Sequence, residues 1–167
     1  MRHIVKTTAL AALLALALPA AQAATQLYAF SGTLESGALL GTSYQGQFSF
    51  DDASLTLSGE EYLGVDSLAM SFLGNQWGLA LAEAPTEVKF VNGTFAGLSY
   101  NATLGATGFS TIAGSMDATD AFVAYTTTLG NDGTGSLIYA PVPEPESYAM
   151  LLVGLVSMGV IARRRKS

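Results

Sequence analysis

Between Ala24 and Pro141 the side chains able to do chemistry are mostly carboxylates, and they come in groups. Asp51 stands with Asp52, Glu60 with Glu61, Asp117 near Asp120, and Asp132 beside Asn131. A glycosidase needs two carboxyl groups about 5–10 Å apart across a cleft. Neighbours along a strand face opposite ways, so Asp51 and Asp52 share a site only if they lie in a turn, where acids are ordinarily solvated turn formers. Calcium asks for several hard oxygen ligands, and Asp51-Asp52, Glu60-Glu61 and Asn131-Asp132 are its candidates. None of these segments has the spacing of an EF-hand loop or the repeated Gly-x-Asp of calcium-binding β-helices. The plainer reading is a negative surface that keeps the domain soluble. Trp77 is the only tryptophan. It is a candidate glycan contact, since an aromatic face can stack on a sugar ring, but the nearby Leu73, Leu79 and Leu81 favour a place in the core.

Composition removes other chemistries. The 167 residues contain no cysteine, and the only histidine is His3. Disulfide frameworks, thiolate zinc sites and cysteine nucleophiles are excluded, and with His3 in a segment expected to be removed, so is a Ser-His-Asp triad. Eleven acids against the single base Lys89 give residues 24–141 a net charge of −10. A region with one base has no electrostatic footprint for nucleic acid. No catalytic residue and no firm cofactor is assigned.

The elements that must position these residues read as strands. Tyr44, Gly46, Phe48 and Phe50 alternate with Gln45, Gln47 and Ser49, the period of a half-buried strand. Leu27, Ala29 and Ser31 alternate in the same way with Gln26, Tyr28 and Phe30. Further runs cover residues 68–72, 77–81, 86–91, 95–104, 122–129 and 136–139, separated by Gly-rich breaks. Asn92-Gly93 is a two-residue hairpin signal, because both residues tolerate positive φ; Asp132-Gly133 predicts a looser turn of the same kind. Residues 118–124 allow a helical turn. About eight strands at this spacing predict an all-β fold over residues 24–141, a single β-sandwich or jelly-roll-like domain.

The two ends are membrane devices. Arg2 and Lys6 precede an unbroken Ala/Leu run, and Ala21-Gln22-Ala23 is a small-x-small site before Ala24. Residues 1–23 therefore predict a signal peptide helix cut between Ala23 and Ala24, which makes the Sec translocon and signal peptidase partners. At the other end, Pro143-Glu144-Pro145 lies in a proline cluster too constrained for a helix. An uncharged run over about 148–162 predicts one transmembrane helix. Its length of about 22 Å falls short of the ~30 Å hydrocarbon core, a gap that snorkelling and local thinning cover. Arg163, Arg164, Arg165 and Lys166 form a cytoplasmic stop signal at the inner membrane.

In this order, Pro143-Glu144-Pro145, a short apolar helix and a basic cluster at residues 163–166 resemble the PEP-CTERM sorting signal of Gram-negative bacteria, over residues 142–167. The resemblance implies recognition by an exosortase, a membrane-embedded cysteine protease or transpeptidase. It further implies transient anchoring, then transfer to the cell surface or extracellular matrix, often beside exopolysaccharide. The alternative for the tail is a permanent single-pass anchor. For the domain, three functions stand side by side: a non-enzymatic surface or biofilm-matrix protein, which the tail favours; a glycan-binding module of the matrix; and a carboxylate-based polysaccharide hydrolase.

Overall fold

Along Ser43–Asp51 the expected alternation is realised: Tyr44, Phe48 and Phe50 are buried while Gln45 and Gln47 face solvent. This strand is one of ten in a computed structural model that describes residues 25–143 and 151–158. In chain order the strands are β1 (Thr25–Thr33), β2 (Ser43–Asp51), β3 (Glu60–Phe72), β4 (Asn75–Gly78), β5 (Glu87–Val91), β6 (Thr94–Leu104), β7 (Thr107–Ile112), β8 (Phe122–Thr127), β9 (Gly133–Ser136) and β10 (Ile138–Pro141). The expected signal peptide, with Ala21, Ala23 and Ala24, lies outside the described residues.

All pairings are antiparallel, and the strands form one sheet in the order β10-β1-β2-β3-β5-β6-β7-β8-β9, with β4 folded back on β3. The sheet curls until it nearly meets itself. β9 pairs with β8, β10 pairs with β1, and Leu34 bridges Gly135. Residues 133–141 thus touch β8 with their first half and β1 with their second. The all-β expectation holds, but the sandwich or jelly roll is corrected to a nearly closed, barrel-like meander. The reason is connectivity: sequential strands join as neighbours, without the long crossovers that build a second sheet in Greek-key folds.

Bulges supply the curvature. Asp66 is an extra residue in β3, between pairs Ser49–Ser67 and Phe50–Val65, and Ala96 is an extra residue in β6, opposite Lys89 and Phe90. Each bends its strand and increases its twist. At the second bulge Gly97 has φ +126°, a conformation that a side chain would strain. The Asn92-Gly93 turn joins β5 to β6 with φ of 48° and 79°, as its residue types require. At the other predicted turn the positive φ values fall earlier, at Gly130 and Asn131.

Inward side chains fill the barrel with rings. Toward one end Tyr28 stacks on Phe95 at 4.6 Å between centroids, beside Phe48 and Phe50. Toward the other, Phe109 lies 4.8 Å from Phe72 and 5.2 Å from Tyr44. The phenol groups that enter this core find backbone partners. Tyr125 donates to the Ser36 carbonyl at 2.9 Å and accepts from the Leu39 N–H at 2.8 Å. Tyr44 donates to the Ser136 carbonyl, and Tyr139 accepts from the Leu98 N–H at 2.9 Å.

Candidate functional site

The closing strand leads straight into the tail. β10 runs beside β1 with Tyr28 opposite Pro141, and the Val142 N–H donates to the Leu27 carbonyl at 2.8 Å. Pro143, the first residue of the Pro-Glu-Pro motif, is exposed. Val142 makes the last bond to β1 among the described residues, and Pro143 follows it directly. The chain enters β1 at the same end of the barrel, at Thr25 opposite Asp51. Glu144 and Pro145 lie outside the described residues, as do Arg163, Arg164, Arg165 and Lys166.

Residues 151–158 form a helix with every residue exposed. Leu151, Leu152, Val153, Leu155, Val156 and Met158 present apolar surface around it. Its one polar side chain, Ser157, returns its hydroxyl to the Val153 carbonyl at 2.8 Å, the internal bond by which a hydroxyl is satisfied without water. A helix apolar all round belongs in a protein core or in lipid. Among the described residues no helix is long and apolar enough to cross a membrane, and the expected span over 148–162 extends past them on both sides.

The carboxylates are spread over the barrel rather than gathered. Asp51 closes an Asx turn by accepting from the Ala53 N–H at 2.8 Å, and Asp52 accepts from the Gln26 amide at 3.0 Å. Glu60 pairs with Lys89 at 3.1 Å. Glu61 gathers the N–H of Thr56 at 2.7 Å, the Thr56 hydroxyl at 2.9 Å and the Ser58 N–H at 3.2 Å, organising the loop before β3. Those donors favour its charged form and hold its pKa below the usual carboxylate value, with the Thr56 N–H the largest cause. Asp117 is lowered chiefly by the Thr119 hydroxyl, and Asp120 chiefly by the Ser115 hydroxyl.

Asp132 accepts from the Thr127 N–H at 2.8 Å, while the Asn131 carbonyl accepts from the Ala38 N–H at 2.9 Å, in the loops beyond the far end of β1. Asp51 sits opposite the first residue of β1. A nine-residue strand therefore separates Asp51-Asp52 from Asn131-Asp132, two of the three candidate calcium segments, by about 26 Å at ~3.3 Å per residue. Among the described residues no group of three or more acids or histidines is placed to hold a metal ion. The glycan-contact reading of Trp77 is corrected. The residue is 3% exposed, its indole donates to the Phe72 carbonyl at 3.3 Å, and its ring packs against Phe72 and Phe109. No ring face is left for a sugar.

What the sequence missed is an open groove of about 550 Å³ on the outer wall, between Gln45, Gln47 and Gln76. The alternation that buried Tyr44 and Phe48 already placed Gln45 and Gln47 outward; their cross-strand neighbours needed the register.

Comparison with known proteins bears on the tail. Residues 141–166 match the family model described as the PEP-CTERM protein-sorting motif. The chain carries that motif, which supports exosortase-dependent sorting of an exported protein and an extracytoplasmic location in a Gram-negative bacterium. No curated protein and no solved structure matches the chain.

Proposed function

We propose that this carrier of a PEP-CTERM sorting motif is a non-enzymatic protein of the cell surface or extracellular matrix, freed from its tail by an exosortase and associated with exopolysaccharide. The observation that carries the reading is the junction at Pro141 to Pro143. The last strand of the barrel ends at Pro141, where the motif begins, and the first proline of Pro-Glu-Pro stands exposed immediately outside the folded domain. An enzyme that accepts extended chain finds the motif next to a finished domain. The exposed apolar helix beyond it supports transient insertion in the inner membrane, with the basic cluster held on the cytoplasmic side.

The non-enzymatic part rests on the carboxylates. A glycosidase needs two carboxyl groups facing each other across a cleft, whereas Asp51, Glu61, Asp117 and Asp120 each accept from donors within five residues of themselves and Glu60 pairs with Lys89. Two measurements test the proposal. Mass spectrometry of protein recovered from the cell surface is expected to show a C-terminus near Pro143 to Pro145, with the full tail retained in a strain lacking exosortase. A surface protein that still ends in Ser167 would mean a permanent anchor and end the sorting account. Incubation with the producer's own polysaccharide is expected to leave its chain length unchanged. Depolymerisation that disappears in an Asp or Glu variant would overturn the non-enzymatic assignment.

A further inference from the structure

We propose that the groove on the outer wall of the barrel is a binding site for a neutral polysaccharide chain. It crosses five strands, and the register fixes its two rows. In one, Ile138, Ser31, Gln45, Ser71 and Gln76 lie side by side on β10, β1, β2, β3 and β4. In the next, Ala29 and Ala69 flank Gln47 on neighbouring strands. The short alanines lower the floor while three glutamines stand along it, which makes an open trough rather than a flat wall.

Its chemistry selects the ligand. None of the lining residues is charged, although the domain around it carries −10. The amides of Gln45, Gln47 and Gln76 and the hydroxyls of Ser31 and Ser71 make no hydrogen bond to another described residue, whereas Gln26, on the same sheet, is tied to Asp52. Each free amide offers both donors and acceptors, the complement of a sugar hydroxyl that also does both. Neighbouring strands lie about 4.8 Å apart, so the polar row repeats at a spacing close to one pyranose in an extended chain. An anionic polymer, or a second copy of this chain, would bring negative charge against a domain already at −10, and repulsion disfavours both. The groove has no aromatic platform, so contact is made to the edges of the sugar rings by hydrogen bonds. Each of these is individually modest, and a long polymer gains by engaging many copies at once.

The experiment is affinity electrophoresis of the full chain in detergent, through native gels containing hydroxyethylcellulose, galactomannan or dextran, with alginate as the anionic polymer. At least one neutral gel is expected to retard the protein, and alginate is not. The double variant Gln45→Ala/Gln47→Ala is expected to bind about tenfold or more weakly with an unchanged melting temperature, while Gln26→Ala binds as the native chain does. Gln76→Ala, at the far rim, provides a second reading should the double variant melt early. The proposal is overturned if none of the three neutral gels retards the protein, if alginate retards it equally, or if all groove variants are retarded like the native chain. A dimer in sedimentation that Gln47→Arg dissolves, without retardation, would assign the face to self-association instead. The outcome is separate from the sorting account, since binding in a gel needs no exosortase.

Discussion

Phe109, inside the barrel, and Leu155, in the tail helix, are both large apolar residues, yet one is 0% exposed and the other 56%. The wall hides its rings by alternating them with Gln, Ser and Thr, so that one face of each strand meets its neighbours inside. The tail does not alternate, and every residue of 151–158 is exposed. Water drives both segments toward an apolar phase, but only the barrel builds that phase from its own chain. The tail must find it elsewhere. The domain's information is therefore carried by packing, and the tail's by linear order: prolines, apolar helix, basic residues.

Damage to each region is therefore expected to show in a different assay. The largest effect is expected from deleting residues 143–167: delivery to the cell surface is abolished, as read by fractionation and immunoblot, while the melting temperature of the remaining chain stays the same. A marked loss of stability would mean that the tail contributes to the fold and would break the comparison. Next is Phe109→Ala, which removes a ring packed against Phe72, Tyr44 and Trp77 and is expected to cost about 3–5 kcal/mol in urea unfolding. Leu155→Ala, in the tail, is expected to leave that unfolding curve unmoved.

A smaller effect is expected from Tyr125→Phe. It strips the hydroxyl from the Ser36 carbonyl and the Leu39 N–H, at about 0.5–1.5 kcal/mol for each part-buried hydrogen bond lost. The equilibrium unfolding midpoint reads it, and no change would mean that water replaces the phenol.

The gentlest probe is pH. Folded Glu61, Asp117 and Asp120 hold their protons less tightly than ordinary carboxylates. The unfolded chain therefore takes up protons first on acidification. The stability from these groups is complete above about pH 4–5 and is lost as pH falls through their lowered folded values. Tyr28, Tyr44, Tyr100 and Tyr139 are raised, first by burial. The unfolded chain releases those protons first above about pH 10, so stability declines as pH rises from there. A melting temperature that stays flat into strong acid and strong base would remove both contributions.

Much of the wall was legible because alternation is local. Tyr44 to Phe50 needed only its own residues to be read, and Asn92-Gly93 named its turn. β7 was not found, since Thr107–Ile112 mixes Gly, Thr and Ser with one buried ring, Phe109. The first half of β3 read as an acidic loop, because Glu60 and Glu61 look like turn formers until Val91 and Phe90 are seen paired opposite them. The choice between sandwich and barrel depends on β10 meeting β1, a contact between chain ends that no local pattern encodes. Trp77 reads toward the core from its leucine neighbours, and it is buried there against Phe109, on the strand that local pattern did not reveal. The groove depends on register across five strands for the same reason. The sorting motif of the tail, by contrast, is linear and is legible as a sequence pattern.

That pairing of β1 with β10 also sets an order of events. A chain threaded across a membrane from its N-terminus delivers β1 first and residues 138–142 last, so the early strands wait with an open edge. The barrel can seal only when Ile138 to Val142 arrive beside Leu27 to Ser31, a contact between distant chain positions of the kind that forms late and slowly. The next residue to emerge is Pro143. The strand that seals the barrel and the processing motif thus emerge one after the other, with Ile138 to Val142 just ahead of Pro143.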